Sequence, residues 1–419
     1  FTGYDNTTSE GKVVAMFIGD EAVNHVNEGQ KAVVVLDKTA FYAESGGQVG
    51  DTGVLTVGHT RFEVQNTTKV GNAFLHHGIV TQGQLVVNDT VTGQVDHSLR
   101  ANTARNHSAT HLLHAALRQI LGTHVQQKGS LVCADYLRFD FSHSEGVTAE
   151  QMSQIESLVN GQILANSAVT TEVTDIDTAK TKGAMALFGE KYGDRVRVVS
   201  VGDWARELCG GTHVARTGQL GVVKLLSESS IGAGVRRVEA LVGADAYKFL
   251  AREHILVNQL TDLIKGAKSE ELPERISELI NKLKDTEKEL GQVRSQQALA
   301  QVSGLLESAK TIGDFKFLAA QIGDGISVDD LRTMALDIKN RLGESVIALA
   351  SVSAGKPVVV VATSDAPRAK GVKAGALVKI ASGVLGGGGG GKDDFAQGGG
   401  TNAAEVPNAL LAIEKALNN

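Results

Sequence analysis

Over residues 1–98 apolar and polar positions alternate in short β-branched runs, at 12–18, 31–37, 61–70 and 90–96, with Gly and Asn turn residues between them. A period of two buries one face of a strand, so this region predicts a small β-barrel or sandwich. Near residue 101 the period becomes helical: Leu112, Leu113, Ala116, Leu117, Ile120 and Leu121 share a face, and Gly122 marks the stop. Mixed strand and helix signals continue to about residue 245 and read as a second, α+β part.

Beyond it Tyr247, Leu250, His254, Val257 and Leu260 recur at helical spacing up to Gly266. After Pro273 the series Ile276, Leu279, Leu283, Thr286, Leu290 and Val293 does the same. Two amphipathic helices with one short break predict an antiparallel hairpin; a single kinked helix between domains is the alternative. From about residue 306 the signals alternate again: strand 315–320, helix 328–342, strands 346–351 and 357–363, helix 371–385 and a terminal helix from near Val406. The expected fold class is therefore a multidomain α+β chain. Its parts are a β-rich barrel at 1–98, an α+β core at 99–245, a helical hairpin at 246–305 and a glycine-rich α/β domain at 306–419.

Apolar residues make up 42% and charged residues 21%, with few aromatics, which describes folded domains with aliphatic cores. Basic residues number 41 against 47 acidic, a net charge of −6, so a polyanion would have to be met by local patches. From residue 306 onward each sign numbers 12, which calls for a one-sided patch in the last domain. Only Cys133 and Cys209 are present, outside any secreted-type framework, and this favours a reducing cytoplasm. No apolar run reaches the roughly 18 residues that span a bilayer, so no membrane role is expected. A chain that begins at Phe1 instead of Met reads as an excised or processed piece of something longer.

The most informative chemistry lies in His107-Ser-Ala-Thr-His111 and, far downstream, Cys209-Gly-Gly-Thr-His213. Residues i and i+4 of a helix share a face, so His107 and His111 can address one ion; Cys209 and His213 add a thiolate and an imidazole, a set suited to Zn²⁺. The alternative leaves the histidines as a hydrogen-bonded surface pair and Cys209 as a small buried residue. Ser108 stands where a zincin helix would carry its glutamate base, which excludes that class.

These two elements resemble the zinc-binding editing domain of the alanyl-tRNA synthetase family, which is also similar to free-standing trans-editing deacylases and to the threonyl-tRNA synthetase editing domain. The stretch from Phe41 to Gln48 with Gly50 and Asp51, and the stretch Gly234-Val-Arg-Arg-Val-Glu-Ala, look like further elements of that family. The glycine-rich end resembles a nucleic-acid-binding module shared with DHH phosphoesterases. The resemblance implies one Zn²⁺ per chain held by His107, His111, Cys209 and His213, and hydrolysis of seryl- and glycyl-tRNA(Ala). It places ATP and Mg²⁺ only in an N-terminal class II half, of which nothing is recognised here. tRNA(Ala) is the implied partner, with a homodimer through the C-terminal half also allowed. A free-standing trans-editing deacylase and an RNA-binding scaffold with structural zinc are the competing functions.

Secondary candidates are Thr110 and Gln127, either of which could hydrogen-bond a serine hydroxyl or the tRNA end. Their alternatives are a back-bond within the helix and a solvated loop. Arg236 and Arg237 are candidate phosphate contacts. Residues 386–392 nearly match GxxxxGK[ST], but Asp393 occupies the hydroxyl position, which excludes a P-loop. Gly386 to Gly391 are read instead as backbone that approaches tRNA phosphates beside Lys370, Lys373 and Lys392, with a flexible linker as the alternative.

Overall fold

The alternation along the first hundred residues becomes a closed barrel in the computed structural model, which describes residues 1–185, 193–264 and 266–418. The described chain divides into two units, Phe1–Gln259 and Leu260–Asn419.

Six strands build the barrel: β1 (Thr8–Ile18), β2 (Lys31–Leu36), β3 (Gly53–Val57), β4 (Thr60–Val70), β5 (Ala73–Gln82) and β6 (Thr90–Val95). Their order is β1-β2-β5-β4-β3-β6, and β6 pairs back onto β1, which leaves the barrel no open edge. Val13, Met16, Val34, Leu55, Phe62 and Val91 fill the interior, as period-two burial requires. Phe41, from the connection between β2 and β3, is fully buried there too. That connection then runs outward as residues 42–51 and supplies Gln48 and Asp51.

Helix α1 (His97–Leu121) follows directly. Asp96 caps it by accepting from the Ser98 and Leu99 amides at 2.9 and 3.0 Å, and Gly122, at φ 117°, ends it. Arg100 docks α1 onto the barrel connection: its guanidinium pairs with Asp51 and donates to the carbonyls of Gly3 at 2.6 Å and Ala40 at 2.9 Å. Both partners are buried, so removing either one strands a charge at a cost of about 3–5 kcal/mol.

Beyond α1 come β7 (Gln127–Val132), β8 (Leu137–Ser142), α2 (Ala149–Leu164), β9 (Val169–Asp175), β10 (Arg195–Val201), β11 (Ala205–Leu208), β12 (Val223–Gly232) and β13 (Val235–Val242). They form a sheet of order β7-β8-β13-β12 and a smaller one of order β9-β10-β11. Leu112, Leu113, Ala116 and Leu117 of α1 pack with Ile155 and Val159 of α2 and with Phe139 and Val238 of the larger sheet. Each fully buried Leu or Phe in this core contributes roughly 1.5–3 kcal/mol. Helix α3 (Ala244–Leu263) follows.

The second unit takes in the last residues of α3 and then α4 (Leu272–Leu306), continues through β14 (Lys310–Ile312), β15 (Phe315–Gln321), α5 (Val328–Leu342), β16 (Ser345–Ser353), β17 (Lys356–Thr363) and α6 (Ala374–Val384), and ends with β18 (Gly389–Gly391), β19 (Phe395–Gly399) and α7 (Val406–Asn418). Sheet order is β14-β15-β16-β17-β19-β18, with only the β15–β16 pair parallel. Helices α6 and α7 cover one face, while α5 and the last turns of α4, through Ala298 and Val302, cover the other. With both faces covered, β16 is buried from Ser345 to Ser351, which is why its sequence reads as a continuous apolar run. Those last turns of α4 were grouped with the hairpin in the sequence reading, yet they complete this core.

The glycine run is structured. Gly386, at φ 71°, follows the C-terminus of α6, and Gly389–Gly391 form the edge strand β18 instead of a linker or a strand-to-helix loop. A Cβ at Gly387, Gly389 or Gly391 would lie 2.2 Å from Gly399 O, 2.5 Å from Val378 Cγ1 or 2.5 Å from Ala396 Cα, whereas one at Gly388 or Gly390 would meet nothing. The run alternates as a strand does, its inner positions being glycine because the partner strand and α6 leave no room. Among the described residues no helix is long and apolar enough to cross a membrane.

Candidate metal centre

His107, His111 and His114 lie on one face of α1 and are 5%, 4% and 2% exposed. Strand β11 runs past that face with Glu207, and the chain continues directly into Cys209, Gly210, Gly211, Thr212 and His213. One donor atom from each of His107, His111, Cys209 and His213 lies within 4.8 Å of all the others. Cys209 Sγ is 3.4 Å from His107 Nε2 and 3.4 Å from His213 Nε2.

The remaining ring nitrogens explain the convergence. His107 Nδ1 donates to Gln48 Oε1 at 2.7 Å, His111 Nδ1 donates to Glu207 Oε2 at 2.6 Å, and His213 Nδ1 contacts Ser108 Oγ at 3.2 Å. With each Nδ1 engaged, each Nε2 is the nitrogen left to address an ion, the arrangement in which an outer hydrogen bond fixes ring orientation. Gln48 is fully buried; its Oε1 also accepts from the Thr212 amide at 2.9 Å, and its Nε2 donates to Thr212 Oγ1 at 2.9 Å.

The residues fit zinc on two counts. A tetrahedral ion with Zn–S of about 2.3 Å and Zn–N of about 2.05 Å has an S···N edge of about 3.6 Å, close to the separations found here. His111 Nε2 is buried and has no hydrogen-bond partner among the described residues, which leaves it available to an ion; His114 Nε2 is likewise unpartnered but lies outside the cluster. Electrostatics agree with a thiolate: burial raises the Cys209 pKa, but His107, His213 and His111 outweigh it and hold the thiol well below its usual range. Burial, with His107 and His111 adding to it, lowers His213 to about 3 despite the thiolate. His111 is raised to about 10, because Glu207 and Cys209 overcome the opposing effect of burial.

The Cys209–His213 loop is tightly held. Arg197 Nη1 donates to the carbonyls of Cys209 at 3.1 Å and Gly211 at 2.8 Å; Tyr4 OH donates to that of Gly210 at 2.7 Å, beneath the Arg197 guanidinium. A Cβ on Gly211 would sit 2.0 Å from His107 Cε1, so only glycine lets the loop pass against the imidazole. A cavity of about 190 Å³ opens beside His213 and reaches Tyr4, His97 and Arg100.

The four residues that the sequence offers as candidate ligands thus lie close together. Thr110 Oγ1 donates to Asn106 O at 2.9 Å, the back-bond within the helix, and Gln127 opens strand β7 instead of lying in a loop; neither side chain hydrogen-bonds any of the four. Arg236 pairs with Glu228 and Arg237 forks onto Asp140 at 2.7 and 2.8 Å, so both guanidiniums already serve cross-strand ion pairs. In the second unit Lys370 pairs with Asp314, and Lys373 lies 3.0 Å from Asp393, while Lys392 makes no ion pair among the described residues. Sequence reading missed the roles of Gln48, Ser108 and Glu207. Glu207 was accessible: on a strand it faces the same side as Cys209, two positions on.

The family model for the threonyl and alanyl tRNA synthetase second additional domain matches residues 196–239, the segment that supplies Cys209 and His213. The DHHA1 domain model matches residues 314–419. The model for class II (A) tRNA synthetases matches residues 1–99, the segment that forms the barrel. Fold, site and matches define an aminoacyl-tRNA synthetase chain that carries the second additional domain.

More particularly, the chain belongs to the alanine–tRNA ligase family. The alanine–tRNA ligase of Pseudomonas entomophila (strain L48) is 48% identical over 415 residues, which are 99% of this chain and 47% of that protein. That of Pseudoalteromonas translucida (strain TAC 125) is 48% identical over 413 residues, again 99% and 47%. The C-Ala domain crystal structure from Aquifex aeolicus alanyl-tRNA synthetase is 29% identical, covers 26% of this chain and 98% of that one, and has a TM-score of 0.25. The chain spans about half the length of the curated relatives it matches.

Proposed function

We propose that this chain is an editing and tRNA-binding part of an alanine–tRNA ligase of the cytoplasm, hydrolysing the ester of seryl- and glycyl-tRNA(Ala) with one Zn²⁺ at His107, His111, Cys209 and His213. The observation that carries this reading is the convergence of three outward-locked imidazoles and a buried thiolate beside an open cavity. The need for such a site is energetic: a pocket rejects a smaller side chain, or one that adds a hydroxyl, by only about 1–3 kcal/mol, so a second hydrolytic sieve is required.

When bound, the ion would supply Lewis-acid polarisation or orient the substrate end. The protein residues do the rest. Gln48, Glu207 and Ser108 hold the imidazoles, Arg197 and Tyr4 fix the loop, and the cavity beside His213 offers a seat for the 3′ end of the tRNA. Four protein ligands would close a tetrahedral site. Catalysis there would need one histidine to yield, or water to be activated nearby; Thr110 and Gln127 remain candidates for the latter. The second unit is the proposed tRNA grip, α3 and α4 the proposed hairpin, and a homodimer through the C-terminal half is part of the same reading.

The test is deacylation by the zinc-loaded chain. Seryl-tRNA(Ala) should be hydrolysed in preference to alanyl-tRNA(Ala), Cys209→Ala should lose both zinc and activity, and no ATP-dependent charging should occur. Equal inertness towards both esters with zinc bound would favour the RNA-binding scaffold instead.

A further inference from the structure

Glu207 is buried at 2% exposure and forms no ion pair with a Lys or Arg among the described residues; its two oxygens are 2.6 Å from His111 Nδ1 and 2.8 Å from His114 Nδ1. The other buried carboxylates among the described residues, Asp51 and Asp140, have guanidinium partners in Arg100 and Arg237. An ionised carboxylate accepts only, so both imidazoles must present Nδ1–H to it. We propose that Glu207 is the positioning residue of this metal centre, locking His111 and supplying the negative charge that neutralises a bound dication together with the Cys209 thiolate. The inference rests on the zinc reading above.

Charge and geometry both lead there. A dication and one thiolate leave one positive charge among neutral imidazoles, and an uncompensated charge in a buried site is costly. Glu207 cancels it from just beyond the ligands. Gln48 and Ser108, which hold His107 and His213, are neutral, so His111 alone is backed by a charge. His114 has no ligand role in this scheme. Its Nδ1 occupies the second oxygen and prevents the carboxylate from rotating away from His111, while its ring packs on Phe139 at a centroid distance of 5.1 Å.

Glu207→Gln removes the charge and sets an amide NH₂ against one of the two imidazole N–H groups. Glu207→Asp keeps the charge but falls short of spanning both rings. Zinc affinity is measured on the full chain by competition with a chromophoric chelator, with the thiolate-to-metal absorption of the Co²⁺ form reporting that the ion still occupies the Cys209 site. Affinity should fall roughly 10- to 100-fold for Gln and less for Asp, with the thiolate band retained. Affinity for the Gln variant within about twofold of the parent's would overturn the proposal, as would a Gln variant that stays unfolded even with excess zinc. A parent chain that binds neither Zn²⁺ nor Co²⁺ would instead overturn the zinc reading, and this inference with it.

Discussion

Gln48 Oε1 lies 2.7 Å from His107 Nδ1, although 59 residues separate the two in sequence. The barrel connection thereby sets the orientation of a candidate ligand on α1, and the same amide holds Thr212 of the downstream loop. Gln48→Leu should preserve the fold of both units yet lower zinc affinity about 10-fold or more, as read by chelator competition. An unchanged affinity would show that α1 alone orients His107.

Gly211→Ala tests how closely the loop must pass the ring. Its Cβ would overlap His107, so the loop or the imidazole must shift, at a cost of about 1–3 kcal/mol. The expected result is weakened zinc binding with circular dichroism unchanged. Gly210→Ala is the control, since a Cβ there meets nothing.

His76 predicts a pH dependence outside the centre. Burial lowers it to about 4 from 6.5, although its hydrogen bond to Val34 O pulls the other way. Between those values the unfolded chain takes a proton that the native barrel refuses. The stability contribution is therefore complete above pH 6.5 and is lost as pH falls towards 4, up to about 3 kcal/mol. Hydrogen exchange of β2 and β5 across this range should show the loss, and His76→Gln should flatten it.

The glycine strand separates packing from phosphate contact. Gly387→Ala and Gly398→Ala should lower the melting temperature of the second unit by several degrees, because their Cβ atoms would meet backbone or Ser382 Oγ at 2.2 Å. Gly388→Ala and Gly390→Ala should leave it unchanged. If the bare outer face receives phosphates, those two variants should weaken tRNA binding without altering stability.

Lys379 and Lys392, both exposed, carry no ion pair among the described residues, unlike Lys370 and Lys373. Replacing both by alanine should weaken tRNA binding and make its salt dependence shallower by about one unit of slope per lysine. Filter binding across a salt series measures this. An unchanged slope would remove them from the interface.

Legibility followed the range of the interactions. Helix α5 was readable to its ends because Ser327 caps it, Gly343 closes it and its apolar positions face one sheet. The two pairs of candidate donors were readable because the members of each pair sit four apart. Helix α1 begins earlier than its apolar period suggests, since its first turns are docked by Arg100, and a buried arginine leaves no hydrophobic signature. Gln48 was hidden because its contacts depend on how the barrel closes. The strand nature of the glycine run was hidden because glycine has no side chain with which to write a period.

Gln48 belongs to the barrel, His107 to the helix after it and Thr212 to a loop still further on. The barrel is thus no exchangeable cassette: grafted onto another core, or replaced by a barrel of equal stability, it would take with it the orientation of an imidazole it does not own. If the chain is cut between residues 98 and 99, all four candidate ligands stay in the second piece, but zinc should bind that piece more weakly until the barrel piece reassembles with it, so inheritance of the full centre requires inheritance of the junction.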